Sequence, residues 1–337
     1  MSQIITTDDL IDEVRSMLDE DNRISIDDAA DILPALNRAQ NYAASILARH
    51  YESPMLKYIS VTPTSDQDEY FIPEDAFEQR LEKVEVKVGN LYYPVTRIDF
   101  RDVSLFEAPD DSKGSHVSYY YAVVGNRYRV LPKANAIYPL RIWYLEDPMP
   151  LAKSQGRITH VNTANNFVIV DTTGSDITTE TDNLNSYVNI IDAQTGRRKA
   201  TFQIQNINSG TITFKTTPSR TTVRNIAIDT DMTNLLVNSD TNNEGPDVSI
   251  EPDDYISVIS GTAVPFFKKP FSNFLVQYAI AELRRKLGEG SDLEMRVLKE
   301  LEAQVERSWV GRESSLRVDK SNKAWNLSTR RYYGPRG

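Results

Sequence analysis

The apolar residues of this chain recur with a helical period near both ends and with a strand period in the middle. Leu10 and Val14 share one face of a helix, whereas Val84, Val86 and Val88 alternate with charged neighbours. The two periods do not interconvert, because helix positions three to four apart share a face while strand positions alternate faces. The sequence therefore predicts an α+β protein with helical ends and a β-rich middle.

Residues 7–50 are predicted to form two helices. Thr7 is the expected N-cap of the first helix, which carries acids in its first turn, where the helix dipole favours them. Ser25, with Asp28 three residues later, resembles a capping box at the start of the second helix. Pro34 lies inside the second helical pattern and is expected to kink or restart that helix.

The helical period returns at about residue 268. The stretch GEGSD (288–292) interrupts it, with glycine ending one helix and Ser291 or Asp292 capping the next. The simplest packing brings the two terminal helix pairs together in one bundle, with the β regions inserted between them.

The β-rich middle divides into two regions. In the first, VGNL (88–91) and VGNR (124–127) each place Gly-Asn between strand-like runs, which predicts two tight hairpins in an antiparallel sheet. In the second, short apolar runs between polar residues predict a small β-barrel or sandwich, and residues 229–247 predict a long polar loop. The runs are RITHV (157–161), NFVIV (166–170), SYVNII (186–191), TFQIQ (201–205), TITF (211–214) and DYISVI (254–259).

These patterns predict a discontinuous domain organisation. The expected parts are a helical bundle from residues 1–55 and 262–318, an antiparallel β region over 56–154, an inserted β-barrel or sandwich over 155–261, and a basic C-terminal arm over 319–337.

The charge is distributed unevenly over the 337 residues. The formal net charge is −10, but 33 of the 38 basic residues and all 48 acidic residues lie in residues 1–319, so that part carries −15 and residues 320–337 carry +5. An acidic body argues against a nucleic-acid-binding protein, because affinity for phosphate depends on Lys and Arg.

The sequence lacks the common signatures of catalysis and of membrane targeting. No phosphate-binding loop, dinucleotide fingerprint, HExxH or nucleophile elbow is present, so we expect a protein that is not an enzyme and has no cofactor. His50, His116 and His160 lie in different segments, and no spacing singles out a carboxylate pair. With no cysteine there are no disulfides. The N-terminus is acidic, unlike a signal peptide, and no apolar run approaches the roughly 20 residues that span a membrane.

One stretch partly follows the pattern of a calcium-binding loop. In DTNNEGPDVSIE (240–251), Asp240, Asn242, Glu244 and Glu251 occupy ligand positions. Glu244 is longer than the usual Asp or Asn, and VSI predicts a strand where a helix should begin. The other interpretation, a solvated turn between strands, is the expected one.

A small basic cluster, GRRKATF (196–202), lies beside one of the predicted strands. It could contact phosphates or an acidic partner. It could equally be a hairpin tip whose charges protect an edge strand from aggregation, which is the expected role.

Four longer stretches resemble the head–tail connector proteins of tailed bacteriophages, also called adaptor or head-completion proteins. Residues 35–47 resemble the second helix of that family, and 70–107 its next passage, with Pro-Glu-Asp, a hairpin and YPVTRI. Residues 120–151 resemble the strands that follow, and 259–289 the return into the third helix. The resemblance covers about two-thirds of the chain and is weakest over 155–258 and the tail.

The resemblance implies a structural role in the virion, after assembly in the cytoplasm of the bacterial host. Such adaptors form a ring, usually twelve-fold, below the portal protein at one capsid vertex. They extend the DNA channel and offer a docking surface to tail or tail-nozzle proteins. Double-stranded DNA would then pass through an acidic lumen without specific binding, and no membrane is involved.

In many family members the C-terminal segment inserts against the portal, so the basic arm is a candidate portal-docking segment. Aromatic anchors and arginines suit a segment that orders on binding. The alternative is a frayed terminus without a function. The candidate docking residues are Trp325, Arg330, Arg331, Tyr332, Tyr333 and Arg336.

Three other functions remain open at this point. The chain could be a different tail or baseplate part, such as a tail terminator or a fibre-attachment protein, which would need no terminal helix bundle. It could be a virion-associated carbohydrate-binding or hydrolytic protein, although no catalytic pair is evident. The third alternative, a DNA-binding factor, is disfavoured by the charge.

Overall fold

The described residues of the chain form two compact units. One takes in those of Met1–Asp9 and Met55–Phe266, and the other those of Leu10–Pro54 and Phe267–Gly337. The computed structural model describes residues 5–18, 26–49, 55–61, 69–73, 75–106, 119–131, 139–171, 186–208, 210–218, 222–223, 226–227, 229, 232, 249–259, 261–266, 271–288 and 296–303.

The first helix, α1 (Thr7–Met17), begins with a capping box one residue earlier than predicted. The Thr6 hydroxyl oxygen accepts from the backbone N–H of Asp9 at 3.1 Å, and the Asp9 carboxylate accepts from the backbone N–H of Thr6 at 2.8 Å. Thr6 is therefore the N-cap, and the prediction of Thr7 was wrong. Thr7 is instead buried, and its N–H donates to the Ala263 carbonyl at 2.8 Å.

The second helix restarts near its proline, which is one of the two predicted outcomes. A π-helical turn (Asp28–Ile32) is followed by α2 (Leu33–Leu47), which has Pro34 in its first turn. Asp27 caps the π-helical turn, because its Oδ1 accepts from the two backbone N–H groups of residues 29 and 30, each at 2.8 Å. The N-cap is thus Asp27, whereas the predicted Ser25 lies outside the described residues.

In the helical unit, α2 packs against α4 (Phe271–Lys286). The Tyr42 ring lies 5.6 Å from that of Tyr278, and the Arg38 guanidinium donates to the Glu282 carboxylate at 2.9 Å. The buried side chains of the two helices include Leu36, Ala39, Ala43 and Leu47 of α2 and Phe274, Leu275, Ala279 and Leu283 of α4.

Helix α4 ends where the sequence predicts. Gly288 adopts a φ of 79°, and its N–H donates to the Arg285 carbonyl at 3.1 Å. Residues 296–303 are helical again. The predicted caps Ser291 and Asp292 lie outside the described residues.

The other unit contains two four-stranded sheets that share one apolar core. The first sheet has the order β1–β8–β3–β4 and the second the order β2–β7–β6–β5, with Tyr70 and Tyr128 stacked in the shared core at 5.3 Å. The strands are β1 (Leu56–Val61), β2 (Glu69–Phe71), β3 (Ala76–Val88), β4 (Leu91–Pro94), β5 (Thr96–Arg97), β6 (Tyr120–Val124), β7 (Arg127–Leu131) and β8 (Leu140–Glu146).

Both predicted Gly-Asn hairpins are confirmed. Gly89 and Asn90 join β3 to β4, and Gly125 and Asn126 join β6 to β7. The two glycines have φ values of 62° and 60°, which glycine adopts at no steric cost.

A single residue carries the chain from the first sheet to the second. The Val95 N–H donates to the Val84 carbonyl of the first sheet at 2.8 Å, and the next N–H, of Thr96, donates to the Tyr119 carbonyl beside the second sheet at 3.1 Å. Val95 itself is buried in the shared core. After β5, a 3₁₀ turn (Phe100–Asp102) leads into the short helix α3 (Val103–Phe106).

Strand β3 contains a large irregular bulge that the alternating pattern did not predict. Ala76 pairs with Glu146 and Leu81 with Tyr144, so four residues of β3 lie opposite a single residue of β8. Two of the four, at positions 78 and 79, have left-handed φ values of 52° and 54°. Both of these side chains are exposed.

Six further strands hydrogen-bond in a closed antiparallel order, β10–β13–β12–β11–β16–β9. Each strand contains most of one of the six apolar runs identified in the sequence. They are β9 (Gly156–Asn162), β10 (Phe167–Asp171), β11 (Tyr187–Ile191), β12 (Arg198–Asn208), β13 (Thr211–Phe214) and β16 (Tyr255–Val258); β14 (Thr222–Val223) and β15 (Ile226–Ala227) form a separate two-stranded ribbon.

The interior of this closed sheet is filled by side chains. Phe202 and Phe214 stack at 4.6 Å, and Ile158, Ile204 and Ile212 are fully buried in the same core.

The start of the predicted polar loop is packed against the closed sheet. Met232 belongs to its core, and Asp229 is buried, with its carboxylate accepting from the Thr201 N–H at 2.8 Å. These two residues of the predicted polar loop are therefore buried, and the backbone N–H of Thr201 satisfies the Asp229 carboxylate. Residues 233–247 lie outside the described ranges.

The predicted class, α+β with antiparallel sheets, is confirmed.

The bulge of β3 yields a stability prediction. A left-handed conformation costs a residue with a Cβ about 1–2 kcal/mol, and glycine escapes this cost while losing about 0.4–1 kcal/mol through unfolded-state entropy. Gln79→Gly should therefore raise the free energy of unfolding by about 0.5–1 kcal/mol, measured by urea denaturation. Gln79→Ala is the matched control and should give no gain. A fall in stability for the glycine variant would show that the position is not strained.

Candidate interaction surfaces

The six arm residues singled out by the sequence lie outside the described residues, so their role in portal docking stays a prediction. The calcium-loop candidates Asp240, Asn242 and Glu244 also lie outside them. The fourth, Glu251, is described, and its carboxylate accepts from the Ser249 hydroxyl at 3.2 Å. Within the described ranges, no three acidic or histidine side chains are grouped so as to hold a metal ion.

His160, the one histidine among the described residues, is exposed on β9 opposite Ile169. His50 and His116 lie outside the described ranges. The described residues therefore offer no test of a shared histidine site.

Two residues of the basic cluster at the start of β12, Arg197 and Lys199, take part in internal ion pairs. The Arg197 guanidinium lies 3.0 Å from a Glu146 carboxylate oxygen and 5.4 Å from the ring centroid of Phe266. The Lys199 ammonium lies 3.0 Å from the Asp254 carboxylate, and both side chains are nearly buried. The cluster thus joins parts of one compact unit, with acidic partners that are distant along the chain and that the sequence pattern did not indicate.

Two opposing effects act on the pKa of the Asp254 carboxyl in this network. Burial raises the pKa of its carboxyl above the ordinary value, while hydrogen bonds from the Glu251 N–H and from Lys199 act in the opposite direction. Because the raising influence of burial prevails, the charged form of this carboxyl depends on its donors, and Lys199 is the donor that also brings a positive charge. The ion pair joins the residue before β16 to β12.

The outer face of the first sheet carries an ordered set of aromatic and charged side chains. The Arg141 guanidinium lies 3.6 Å from the ring centroid of Tyr92 and 4.7 Å from that of Tyr58. The Trp143 indole N–H donates to the Glu85 carboxylate at 2.8 Å. Burial opposes ionisation of Glu85, but hydrogen bonds from Lys83 and Trp143 outweigh it, so the pKa of this carboxyl is lowered. These contacts fix the side chains in place.

The β3–β4 hairpin extends beyond the shared core. Along the inner face of β3, Val84 and Val86 are buried but Val88 is 40% exposed. On β4, Leu91 pairs with Val88 and Tyr93 with Val86, and both are more exposed than Val88. These side chains continue the apolar face of the sheet past the point where the second sheet covers it. We call Val88, Leu91 and Tyr93 the hairpin overhang.

A second set of exposed apolar side chains lies on the second sheet and on the turn and helix that follow β5. Phe71 and Val124 both pair with Arg127, whose guanidinium lies 4.5 Å from the ring centroid of Phe71. Phe100 begins the 3₁₀ turn that contacts β6, and Leu105 follows in α3. We call Phe71, Phe100, Leu105 and Val124 the apolar patch; these side chains are between 41% and 76% exposed.

Comparison with known proteins identifies the family. Residues 5–171 match the SU10 adaptor protein family. This part of the chain belongs to that family of phage adaptors. The match confirms the predicted resemblance to head–tail adaptor proteins, and it spans both four-stranded sheets and the first two strands of the closed sheet. No curated protein shows significant similarity to the chain.

Family membership implies a structural protein of the virion that contacts other phage head or tail proteins. A structural adaptor agrees with the prediction of a non-enzymatic role. None of the described helices has both the length and the apolar composition that crossing a membrane requires.

The Lys199–Asp254 pair yields a prediction with a pH dependence. Lys199→Met leaves a buried carboxylate without its cation, so the free energy of unfolding at pH 7 should fall by about 3–5 kcal/mol. The pKa of Asp254 in the folded variant then rises further above its unfolded value of about 3.9. The folded variant therefore takes up a proton before the unfolded chain does, and the deficit should shrink as the pH is lowered toward about 4.5.

Urea denaturation at both pH values measures the effect. The control combines Lys199→Met with Asp254→Asn, and it should recover most of the stability at pH 7 because no buried charge remains. An equal deficit at both pH values would contradict the dependence on the Asp254 charge.

Proposed function

We propose that the chain is a ring-forming head-to-tail adaptor that binds below the portal protein, extends the DNA channel and docks the tail. The observation that carries the proposal is the adaptor family match over residues 5–171. The partners would be the portal protein of the same phage, further copies of this chain, and tail or tail-nozzle proteins. The ring would contain about twelve copies, as is usual for such adaptors.

The finer architecture belongs to the same proposal. Helices from both ends of the chain would form one bundle, with the β regions inserted between them. The packing of α2 against α4 supports this arrangement, since the two helices lie more than 200 residues apart in the sequence. The closed six-stranded sheet would be the inserted barrel, placed on the outside or the tail-facing edge of the ring, where added loops disturb packing least.

The DNA channel would lie between copies and not inside one chain. The interior of the closed sheet is filled by side chains, so DNA cannot pass through it. A lumen enclosed by several copies would be acidic, because residues 1–319 carry a formal charge of −15. Negative charge suits a channel through which DNA slides, since it withholds the phosphate contacts that would hold the DNA in place.

The basic arm would be the portal-docking segment. Its Trp325, Tyr332 and Tyr333 would serve as anchors, and Arg330 and Arg331 would pair with acids of the portal. Ordering this segment only on the partner would make assembly sequential, because the arm contributes no binding free energy until the portal is present.

Electron microscopy of the purified portal mixed with the chain tests the proposal. The full-length chain should form a ring on the portal, and a chain ending at Asp319 should lose it. Rings from both chains would keep the adaptor function and make the arm dispensable. If neither chain decorates the portal, the adaptor proposal fails in its central claim.

A matched pair of charge variants tests the arm more finely. Arg330→Glu combined with Arg331→Glu should abolish ring formation on the portal, because it reverses two charges that would face acids. Lys320→Glu combined with Lys323→Glu changes the net charge equally and should leave the ring intact. Equal loss in both variants would indicate a general charge effect and not docking by the arm.

A further inference from the structure

The hairpin overhang and the apolar patch lie at the two ends of one continuous path through the sheets. Strand β4 leads away from the Gly89–Asn90 turn, and Val95 passes the chain to the second sheet. Strand β5 then runs parallel to β6, toward the Gly125–Asn126 turn. The ten residues from Leu91 to Phe100 span at most about 30 Å when extended. The hairpin overhang belongs to the first sheet, and the apolar patch belongs to the second sheet and to the turn and helix that follow β5.

The size of these surfaces fits a protein contact. Seven large apolar side chains with these exposed fractions offer on the order of 700 Å² of apolar area between them. A standard interface buries about 1,200–2,000 Å² in total, of which a little more than half is apolar. The hairpin overhang and the apolar patch together thus supply the apolar area of an interface at the lower end of that range.

A contact between unlike surfaces of identical chains has a geometric consequence. When the overhang of one copy binds the patch of a second copy, the second overhang and the first patch remain available. Further copies therefore add in the same way until the assembly closes. A self-complementary contact would stop at two copies, so a contact between unlike surfaces is the kind that a ring requires.

We propose that the hairpin overhang of one copy (Val88, Leu91 and Tyr93) docks on the apolar patch of the next copy (Phe71, Phe100, Leu105 and Val124). The inference rests on the proposed ring-forming function and identifies the surface through which neighbouring copies contact each other. The occupant is a second copy because both halves of the contact are present, exposed and of matching apolar character on the same chain.

Thiol cross-linking tests the contact directly, because the chain contains no cysteine. The full chain carrying both Leu91→Cys and Leu105→Cys is treated with a short bis-maleimide reagent, alone and on the portal. A ladder of cross-linked dimers, trimers and larger species is expected. A mixture of the two single variants should give dimers and nothing larger, since each copy then has one reactive end. The control pairs Leu91→Cys with Ile169→Cys, which lies on the outside of β10, and should stay monomeric.

A second pair of variants measures the contribution to assembly. Leu91→Ser combined with Tyr93→Ser should weaken self-association at least about tenfold in sedimentation velocity, because two apolar side chains lose their burial. Ile169→Ser should have no effect. Unchanged thermal unfolding of both variants shows that folding is intact.

The outcomes separate this inference from the proposed function. If the unmodified chain forms rings while the double-cysteine chain gives monomers, the contact is wrong and the adaptor function stands. Cross-linked dimers from Leu91→Cys alone would indicate contact between two overhangs and would overturn the proposal. If the unmodified chain forms no ring on the portal, the proposed function fails and the inference fails with it.

Discussion

The chain passes from the first sheet to the second at one buried residue, Val95. Its N–H donates to the first sheet and the next N–H donates beside the second, so the chain changes sheets within one residue. Both sheets cover one apolar core, and Val95 belongs to that core. The crossing and the shared core therefore hold together the two sheets that carry the hairpin overhang and the apolar patch.

Ion pairs join the first sheet to the start of β12. Glu146 of β8 lies 3.0 Å from both the Lys57 ammonium and the Arg197 guanidinium. Lys57 also lies 3.0 Å from Asp75, which accepts from the Tyr144 hydroxyl. Burial, reinforced by the nearby Asp75 and Glu146 charges, raises the pKa of Tyr144 well above its ordinary value, so this hydroxyl remains a donor. Two residues of the basic cluster, Arg197 and Lys199, are thus engaged in internal contacts.

These features agree with membership of a family of structural phage adaptors. The interior of the closed sheet is packed with apolar side chains. What the described residues offer instead are a projecting hairpin, an exposed apolar patch and an aromatic sheet face held by Arg141 and Glu85. Such surfaces are typical of proteins whose stability and function depend on neighbours.

The sequence by itself determined the local structure of this protein. Hydrophobic period fixed which segments are helices and strands, and Gly-Asn pairs fixed two turns, because both signals act over a few neighbouring residues. Pro34 likewise determined where the second helix restarts, because its ring and its missing N–H act locally. The family resemblance could also be recognised from these local stretches. The caps were misplaced by one or two residues, since several adjacent side chains could supply the accepting oxygen.

Only the tertiary structure decided which residues of each apolar or charged pattern are buried. Val84, Val86 and Val88 are equivalent in the sequence, yet the second sheet covers the first two and leaves Val88 exposed. Lys199 became an internal cation because Asp254, more than 50 residues away, folds next to it. The burial of a residue depends on which distant segment of the chain packs against its face of the sheet. Local hydrophobic periodicity does not predict such long-range packing. The interaction surfaces of this adaptor were therefore set by packing and not by pattern.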